Sequence, residues 1–411
     1  MPRGASDIAD LRLSRINKLV TSFTTPPNMV LTNLFGATNA ESDTIKWESQ
    51  VGNRGMTPFV PPGAPAPTHA PQGVASNTAF AAYFKEKMYC DEEFLNNLRK
   101  EGTESQYLAA RARLARELQT MRNRCDRRKE WMIAQMLTSG TITYTGKTGV
   151  KLSVDYSIPS DHSVSLATAD KWESGTSRDI MKDIMDAKIV ISDDCNGMID
   201  YAICNSTVLK FMVLDDSFQT LLQKSAYGSG DLFKKSGGKI LAANATALGN
   251  LLGLNIIVYD EKYVVKEYLT TALAASGTTV YVGDAADFTT GTAVLTDVSA
   301  GTSEEVTVSA VSAEAGTITI SASTSAYKAG EDTIHMALPF IPNDKFVMFA
   351  STVDGQKIAE WVNAPFGLGR HYGLYADSWD DNDPEGTWIR VQNKGLPVLY
   401  QRDAVYILDV N

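Results

Sequence analysis

Residues able to do chemistry are few in this chain, and their spacing is poor. The four histidines, His69, His162, His335 and His371, have no second His or Cys at metal-ligand spacing. Isolated histidines of this kind read as structural or surface residues. The four cysteines, Cys90, Cys125, Cys195 and Cys204, form no CxxC pair and outline no disulfide framework. They read as buried free thiols of a reducing compartment. No G-x-S-x-G nucleophile elbow occurs. KKSGGKI, from Lys234 to Ile240, resembles a phosphate loop. It lacks a glycine at the required distance before Gly238 and Lys239, and Ile240 replaces the Ser or Thr that would meet magnesium. DNDPEG, from Asp381 to Gly386, opens like a calcium loop, but Gln392 stands where the bidentate Glu belongs. A solvated acidic turn accounts for it. A hydrolase would need paired carboxylates, and the chain offers only the cluster Asp377, Asp380, Asp381 and Asp383. These residues point to no catalytic group, no metal ligand and no cofactor.

What the sequence does concentrate is positive charge. YLAARARLARELQTMRNRCDRRKEWMIAQML, from Tyr107 to Leu137, carries Arg111, Arg113, Arg116, Arg122, Arg124, Arg127, Arg128 and Lys129, accompanied by Glu117, Asp126 and Glu130. The 411-residue chain as a whole has a net charge of -10. Charge runs on helices are usually solvated faces, yet the acids here are too few to neutralise the bases. Such a rod suits phosphate contact without base readout, or a protein partner. It lacks the interleaved aromatics of a single-strand binder. The overall acidity argues against a simple sequence-specific DNA binder. It fits an assembly that keeps opposite charges on different surfaces.

A helix must position these arginines. Leu114, Leu118, Met121, Cys125, Met132 and Met136 recur at 3-4 spacing and mark a buried stripe. The predicted helix spans 103–138, and the Tyr107 to Leu137 stretch alone would measure roughly 45 Å. The stripe breaks at Arg128 and Lys129, so that turn is expected to face water, phosphate or another chain. Residues 1–40 read as a mildly basic arm that is extended around TTPPNMVLTNLFG. From 41, a strand beginning at Ile45 and Trp47 runs into a Pro-rich stretch that excludes helix. This stretch keeps Trp47, Val51, Phe59 and Val60, as an arm lying on a neighbour would. A short helix is expected within AFAAYFKEKMYCDEEFLNNL, and TSGTITYTGKTGV starts a hairpin.

Residues 170–260 alternate helices and strands in an α+β pattern: SRDIMKDIMDAKIVI and SFQTLLQKSA read as helices, YAICNSTVLKFMV as a strand feeding a helix, and NLLGLNIIVYD as a glycine turn before a buried strand. No Lys or Arg then occurs between Lys266 and Lys328. TTVYV, TAVLT, EEVTVSAV and GTITIS read as short strands of an all-β module inserted at 268–335. The flanks LNIIVYDEKYVV and ALPFIPNDKFVMFAS look like two strands of one hairpin. The N-terminus lacks the apolar core of a signal peptide, and no apolar run is long enough to cross a bilayer. A soluble, intracellularly made protein with no membrane partner is expected.

The collinear order of these parts resembles tailed-phage major capsid proteins of the Hong Kong 97 fold, and in particular the lambda-type capsid protein E family. The carriers are VGNRGMTPFVPPGAP, the Arg-rich helix ending in TSGTITYTGK, LGLNIIVYDEKYV with ALPFIPNDKFVMF, and IRVQNKGLPVLYQRDAVYILDV. Residues of about 268–335 fall outside the resemblance. It implies an α+β capsid fold with an N-terminal arm (1–40), an extended loop (41–80), a peripheral domain with its spine helix (81–165), an axial domain (166–383) and C-terminal strands of the peripheral domain (384–411). It further implies a non-enzymatic subunit forming hexamers and pentamers of an icosahedral head around double-stranded DNA. That subunit belongs to the virion and is assembled in the host cytoplasm. The basic helix would face the DNA, while Trp47, Phe59 and Val60 would contact a neighbouring subunit. The β module, lacking basic residues, would lie outside, where it would clamp capsomers, replace a cementing protein or touch the host. A separate scaffolding protein, a portal and a cementing protein are the further partners implied. The alternatives are a bacterial protein-cargo shell of the same fold, a hydrolase with a β binding module, and a tail-tube or adhesin protein.

Overall fold

The computed structural model describes residues 8–23, 26, 28–50, 56–57, 59–63, 65, 68, 74–98, 104–146, 149, 151–217, 245–251, 253–382 and 385–411. Helices α1 (Leu13–Ser22) and α2 (Val30–Leu34) lead into strands β1 (Ala37–Asn39), β2 (Thr44–Gln50), β3 (Val74–Phe80) and β4 (Ala82–Cys90). Helix α3 (Glu92–Leu98) precedes the long helix α4 (Glu104–Ser139). Strands β5 (Thr141–Thr145), β6 (Lys151–Asp155) and β7 (Ser163–Ser165) follow, then α5 (Ile180–Cys195), β8 (Tyr201–Cys204) and α6 (Ser206–Val213). Next come β9 (Ala245–Leu251), β10 (Leu254–Tyr259), β11 (Lys262–Tyr268), β12 (Thr279–Tyr281), β13 (Gly291–Asp297), β14 (Thr302–Ser312), β15 (Thr317–Ile320) and β16 (Thr333–Pro339). The chain closes with β17 (Lys345–Phe349), β18 (Thr352–Val353), β19 (Gln356–Lys357), β20 (Ala359–Asn363), β21 (Tyr375–Asn382), β22 (Glu385–Leu399) and β23 (Val405–Asp409).

Helix α4 has 36 residues, which makes it about 54 Å long, and it ties two hydrophobic cores together. Its first half places Leu114, Leu118, Met121 and Cys125 against α1, α3 and the inner face of β21 and β22. Its second half places Met132, Ile133, Met136 and Leu137 in a larger core. That core contains the six-stranded sheet β7-β23-β17-β8-β10-β9 and helices α5 and α6. The helix stops at Gly140, whose φ of +67° is a left-handed conformation suited to glycine. A Cβ there would come within 2.9 Å of the Ile158 side chain. Local caps fix the next two helices: Asp179 accepts from the Lys182 N–H at α5, and Asn205 from the Val208 N–H at α6.

Strand β22 is 15 residues long. It pairs with β4 and β21 along its first part and with β20 near its end. Residues 385–411 therefore divide between two sheets, because β23 lies between β17 and β7 in the larger core. Residues 262–339 form a separate antiparallel sheet of order β11-β16-β13-β14-β15-β12. It encloses its own cluster, including Leu269, Val282, Phe288, Leu295, Ile318 and Ile334.

Several sequence expectations need correction. Residues 74–90 are strands β3 and β4, and of the expected helix only α3 forms. Strand β4 alternates between half-buried and exposed positions and takes nine paired positions on β22 from Cys90 to Ala82. Sheet pairing overrides the helix preference of its Ala, Glu, Lys and Met residues. The stretch expected to be extended forms helix α2 at Val30–Leu34, and its Val30 and Leu31 join the larger core, while Ile8, Leu11, Ile16 and Val20 are buried with α4. The expected hairpin is also rearranged. β11 and β16 do pair, but β10 and β17 are separated by β8. KKSGGKI, most of SFQTLLQKSA, Val51, His69 and Asp383 lie outside the described residues.

Candidate nucleic-acid interface

The basic residues of α4 divide into two groups. Arg113, Arg116, Arg124 and Arg127 follow 3-4 spacing along one side of the helix, away from the buried stripe, over about 21 Å. Arg113, Arg116 and Arg124 are exposed and Arg127 is half-buried. Arg113 lies over the Phe94 ring, 5.4 Å from its centre. Arg124 is ion-paired with Glu86 while remaining largely exposed. Arg111 stands on the flank, exposed, 3.9 Å from Asp10.

The remaining three bases make internal contacts, which corrects the expectation for the turn at Arg128 and Lys129. Arg122 donates to the Val20 carbonyl at 3.0 Å and lies 3.4 Å from Asp126. Arg128 meets Asp287 of the β11–β16 sheet through two parallel hydrogen bonds, one of 2.8 Å. Its guanidinium is flanked by the rings of Trp131 and Tyr144. Burial opposes its charge, but the paired Asp287 outweighs burial and holds the group above its ordinary value. Tyr144 donates to Asp284 at 3.0 Å and Lys151 pairs with Glu314 at 3.2 Å, so acids of that sheet meet bases and hydroxyls of the body. Burial pushes the Lys129 amine below its ordinary value, an effect Asp126 partly offsets. Amphipathic periodicity could not show this, because the partner Asp287 lies 159 residues away in sequence.

One residue that sequence reading missed organises the same turn. Glu130 is fully buried. Its carboxylate accepts from the Leu31 N–H at 2.8 Å, the Thr32 N–H at 2.7 Å, the Thr32 hydroxyl at 2.6 Å and the Tyr259 hydroxyl at 2.8 Å. It satisfies orphan donors at the start of α2 and ties α4 to α2 and β10. Burial pushes its carboxyl above the ordinary value, and these hydrogen bonds pull the other way.

Of the expected loop contacts, Trp47 is buried in its own subunit, packed 6.1 Å from Tyr156. A closed core position leaves it no face for a neighbour, so that expectation is corrected. Phe59 is entirely exposed and Val60 is exposed. The acidic cluster considered for hydrolysis is engaged in side-chain pairs: Arg390 with Asp377 at 2.9 Å, Thr387 with Asp380 at 3.0 Å and Trp388 with Asp381 at 3.1 Å. The four cysteines are buried and none is in a disulfide. No helix among the described residues is long and apolar enough to cross a membrane.

A long helix shared between two cores, a β sheet around a very long strand, and a second mixed core define the Hong Kong 97-like capsid fold. The crystal structure assigned as a prophage capsid protein of E. coli CFT073 is similar over 97% of this chain and 96% of its own, with a TM-score of 0.54 at 14% identity. A phage-related protein from Bordetella bronchiseptica RB50 aligns over 96% of each chain, with a TM-score of 0.48 at 9% identity. The capsid of cyanophage P-SCSP1u aligns over 92% of this chain and 86% of its own, with a TM-score of 0.41 at 13% identity. No curated protein matches. Residues 13–302 match the family described as phage major capsid protein E. The chain belongs to that family. It is a structural, non-enzymatic bacteriophage capsid protein and a component of the virion.

Proposed function

We propose that this subunit builds the head of a tailed phage, assembling into hexamers and pentamers of an icosahedral shell that encloses double-stranded DNA. The carrying observation is the family match together with the exposed arginine stripe on α4. Arg111, Arg113, Arg116, Arg124 and Arg127 supply sequence-independent phosphate contact on the inner surface. Arg122, Arg128 and Lys129, assigned to the same contact from sequence, instead hold the helix in place. Phe59 and Val60 anchor the extended loop on a neighbouring subunit.

The β11–β16 sheet acts as an inserted module on the outer surface, stabilising or decorating the shell. Its acidic contacts with Arg128 and Lys151 set its attachment to the body. A separate scaffolding protein, a portal and a cementing protein complete the set of partners, and assembly takes place in the host cytoplasm. The test is negative-stain electron microscopy of the protein expressed alone and with the products of its neighbouring genes. Closed polyhedral shells, or rings of five and six subunits, are expected. Monomers that persist with all those neighbours present would refute the reading.

A further inference from the structure

Beside strand β23, three side chains that the basic helix does not use converge. Asp161 and His162 sit in the 3-10 turn Ser160–His162. Asp194 lies in the last turn of α5. One ligand atom from each lies within 4.8 Å of the others. The His162 ring is fully buried, whereas Asp161 is exposed and the Asp194 side chain is 44% exposed. The cluster therefore has a fixed inner wall and an outer side open to water.

The orientation of the ring gives the cluster a chemical meaning. His162 Nδ1 is 3.0 Å from the Val405 carbonyl oxygen, which can only accept. That oxygen takes its proton from Nδ1, so Nε2 is the ring nitrogen that faces the carboxylates. Nε2 is 2.8 Å from Asp194 Oδ2, close enough for one metal ion to hold both atoms. A ring nitrogen oriented by a backbone carbonyl, with the other directed at carboxylates, is the arrangement of a metal-ligating histidine. With bonds of about 2.1 Å, atoms 2.8 Å apart subtend a little less than a right angle at an ion. That suits neighbouring corners of an octahedron.

The surrounding field also favours a cation. The final turn of α5 carries Asp193 and Asp194 and no basic residue, where the helix dipole disfavours carboxylates and favours positive charge. Asp403, buried beside them, is within electrostatic reach of both Asp161 and Asp194. The nearby base, Arg402, is placed on Asp403 at 3.5 Å.

We infer that Asp161, His162 and Asp194 form a binding site for one divalent transition-metal ion, which pins the end of α5 and the 161–162 turn against β23. One imidazole and two carboxylates suit zinc, cobalt, nickel or manganese, and water completes the shell on the open side. Magnesium and calcium prefer all-oxygen shells and bind it more weakly. This site is independent of the assembly reading and of the DNA contact.

The test uses the full chain, capsomer or shell, stripped with chelator and titrated with cobalt chloride and zinc chloride in separate runs. One equivalent of cobalt is expected to give a visible d–d absorption band that zinc abolishes and excess magnesium does not. Asp161→Asn is the main variant because that side chain is exposed and its loss leaves the fold intact. It and Asp194→Asn are each expected to weaken apparent affinity about tenfold or more, while His371→Ala leaves it unchanged. No band and no zinc uptake at millimolar metal would overturn the site, leaving the His162–Asp194 contact as a hydrogen bond within the subunit. Binding that survives both Asn variants would place the metal elsewhere and overturn it equally.

Discussion

Removing Glu130 tests how the long helix is joined to the rest of the subunit. In Glu130→Ala the Leu31 N–H, on a fully buried residue, loses its acceptor, at a cost of about 1–3 kcal/mol for an orphaned buried donor. The Thr32 N–H and hydroxyl are only partly buried and can turn to water, so they add about 1 kcal/mol. Tyr259 costs little, because its hydroxyl also reaches the Asn28 carbonyl at 3.0 Å. The sum is about 2–4 kcal/mol. Glu130→Gln retains one acceptor oxygen. Hydroxyls can rotate to accept from the new NH2, but a backbone N–H cannot, so one amide is orphaned at about 1–2 kcal/mol. Urea unfolding of the dissociated subunit measures both costs, and hydrogen exchange of the peptide covering residues 28–35 locates them. The pH dependence has a definite sign. The folded-state value is raised above the ordinary one of about 4.3, so folding takes up a proton in that window. Wild-type stability then falls as pH rises through it, and the gap to Glu130→Gln narrows. A loss below about 1 kcal/mol in Glu130→Ala, with unchanged exchange at residues 28–35, would refute the reasoning.

The Arg128–Asp287 pair is partly shielded from water, with side-chain exposures of 33% and 20%, between the surface and buried regimes. A double-mutant cycle with Arg128→Met and Asp287→Asn is expected to give a coupling of about 1–3 kcal/mol, and a coupling near zero would mean the sheet is held by its apolar contacts alone. Burial pushes the thiols of Cys90, Cys125 and Cys204 up to about 12, so at pH 8 a thiol reagent should react with them only after urea is added; rapid native reaction would contradict the packing. Binding of arbitrary-sequence duplex DNA by the dissociated subunit should weaken with salt, and Arg116→Gln should lower the log–log slope by about 0.9 if that residue meets one phosphate. Arg128→Gln should leave this slope unchanged, and equal effects of the two variants would argue against the division of the helix into two groups.

Elements legible in the chain are those whose information is local. The apolar 3-4 spacing from Leu114 to Met136 marked α4 to within a residue at each end. The amphipathic pattern of 180–195, the glycine turn at Gly253 and the alternating Thr- and Val-rich strands of 279–320 are likewise written in adjacent residues. So is the collinear order that resembles the capsid family. What the tertiary structure decided depends on partners distant in sequence. Ala82–Cys90 is a strand because β22 pairs with it some three hundred residues later. Arg128 turns inward because Asp287 lies above it, and Trp47 is a core residue because Tyr156 closes over it. His162 becomes a candidate ligand only when α5 and β23 bring Asp194 and the Val405 carbonyl to its two nitrogens. Helix periodicity and turn chemistry act over a few residues. Strand pairing and charge pairing act wherever the fold brings chains together, and that placement is set by the packing of the cores on α4.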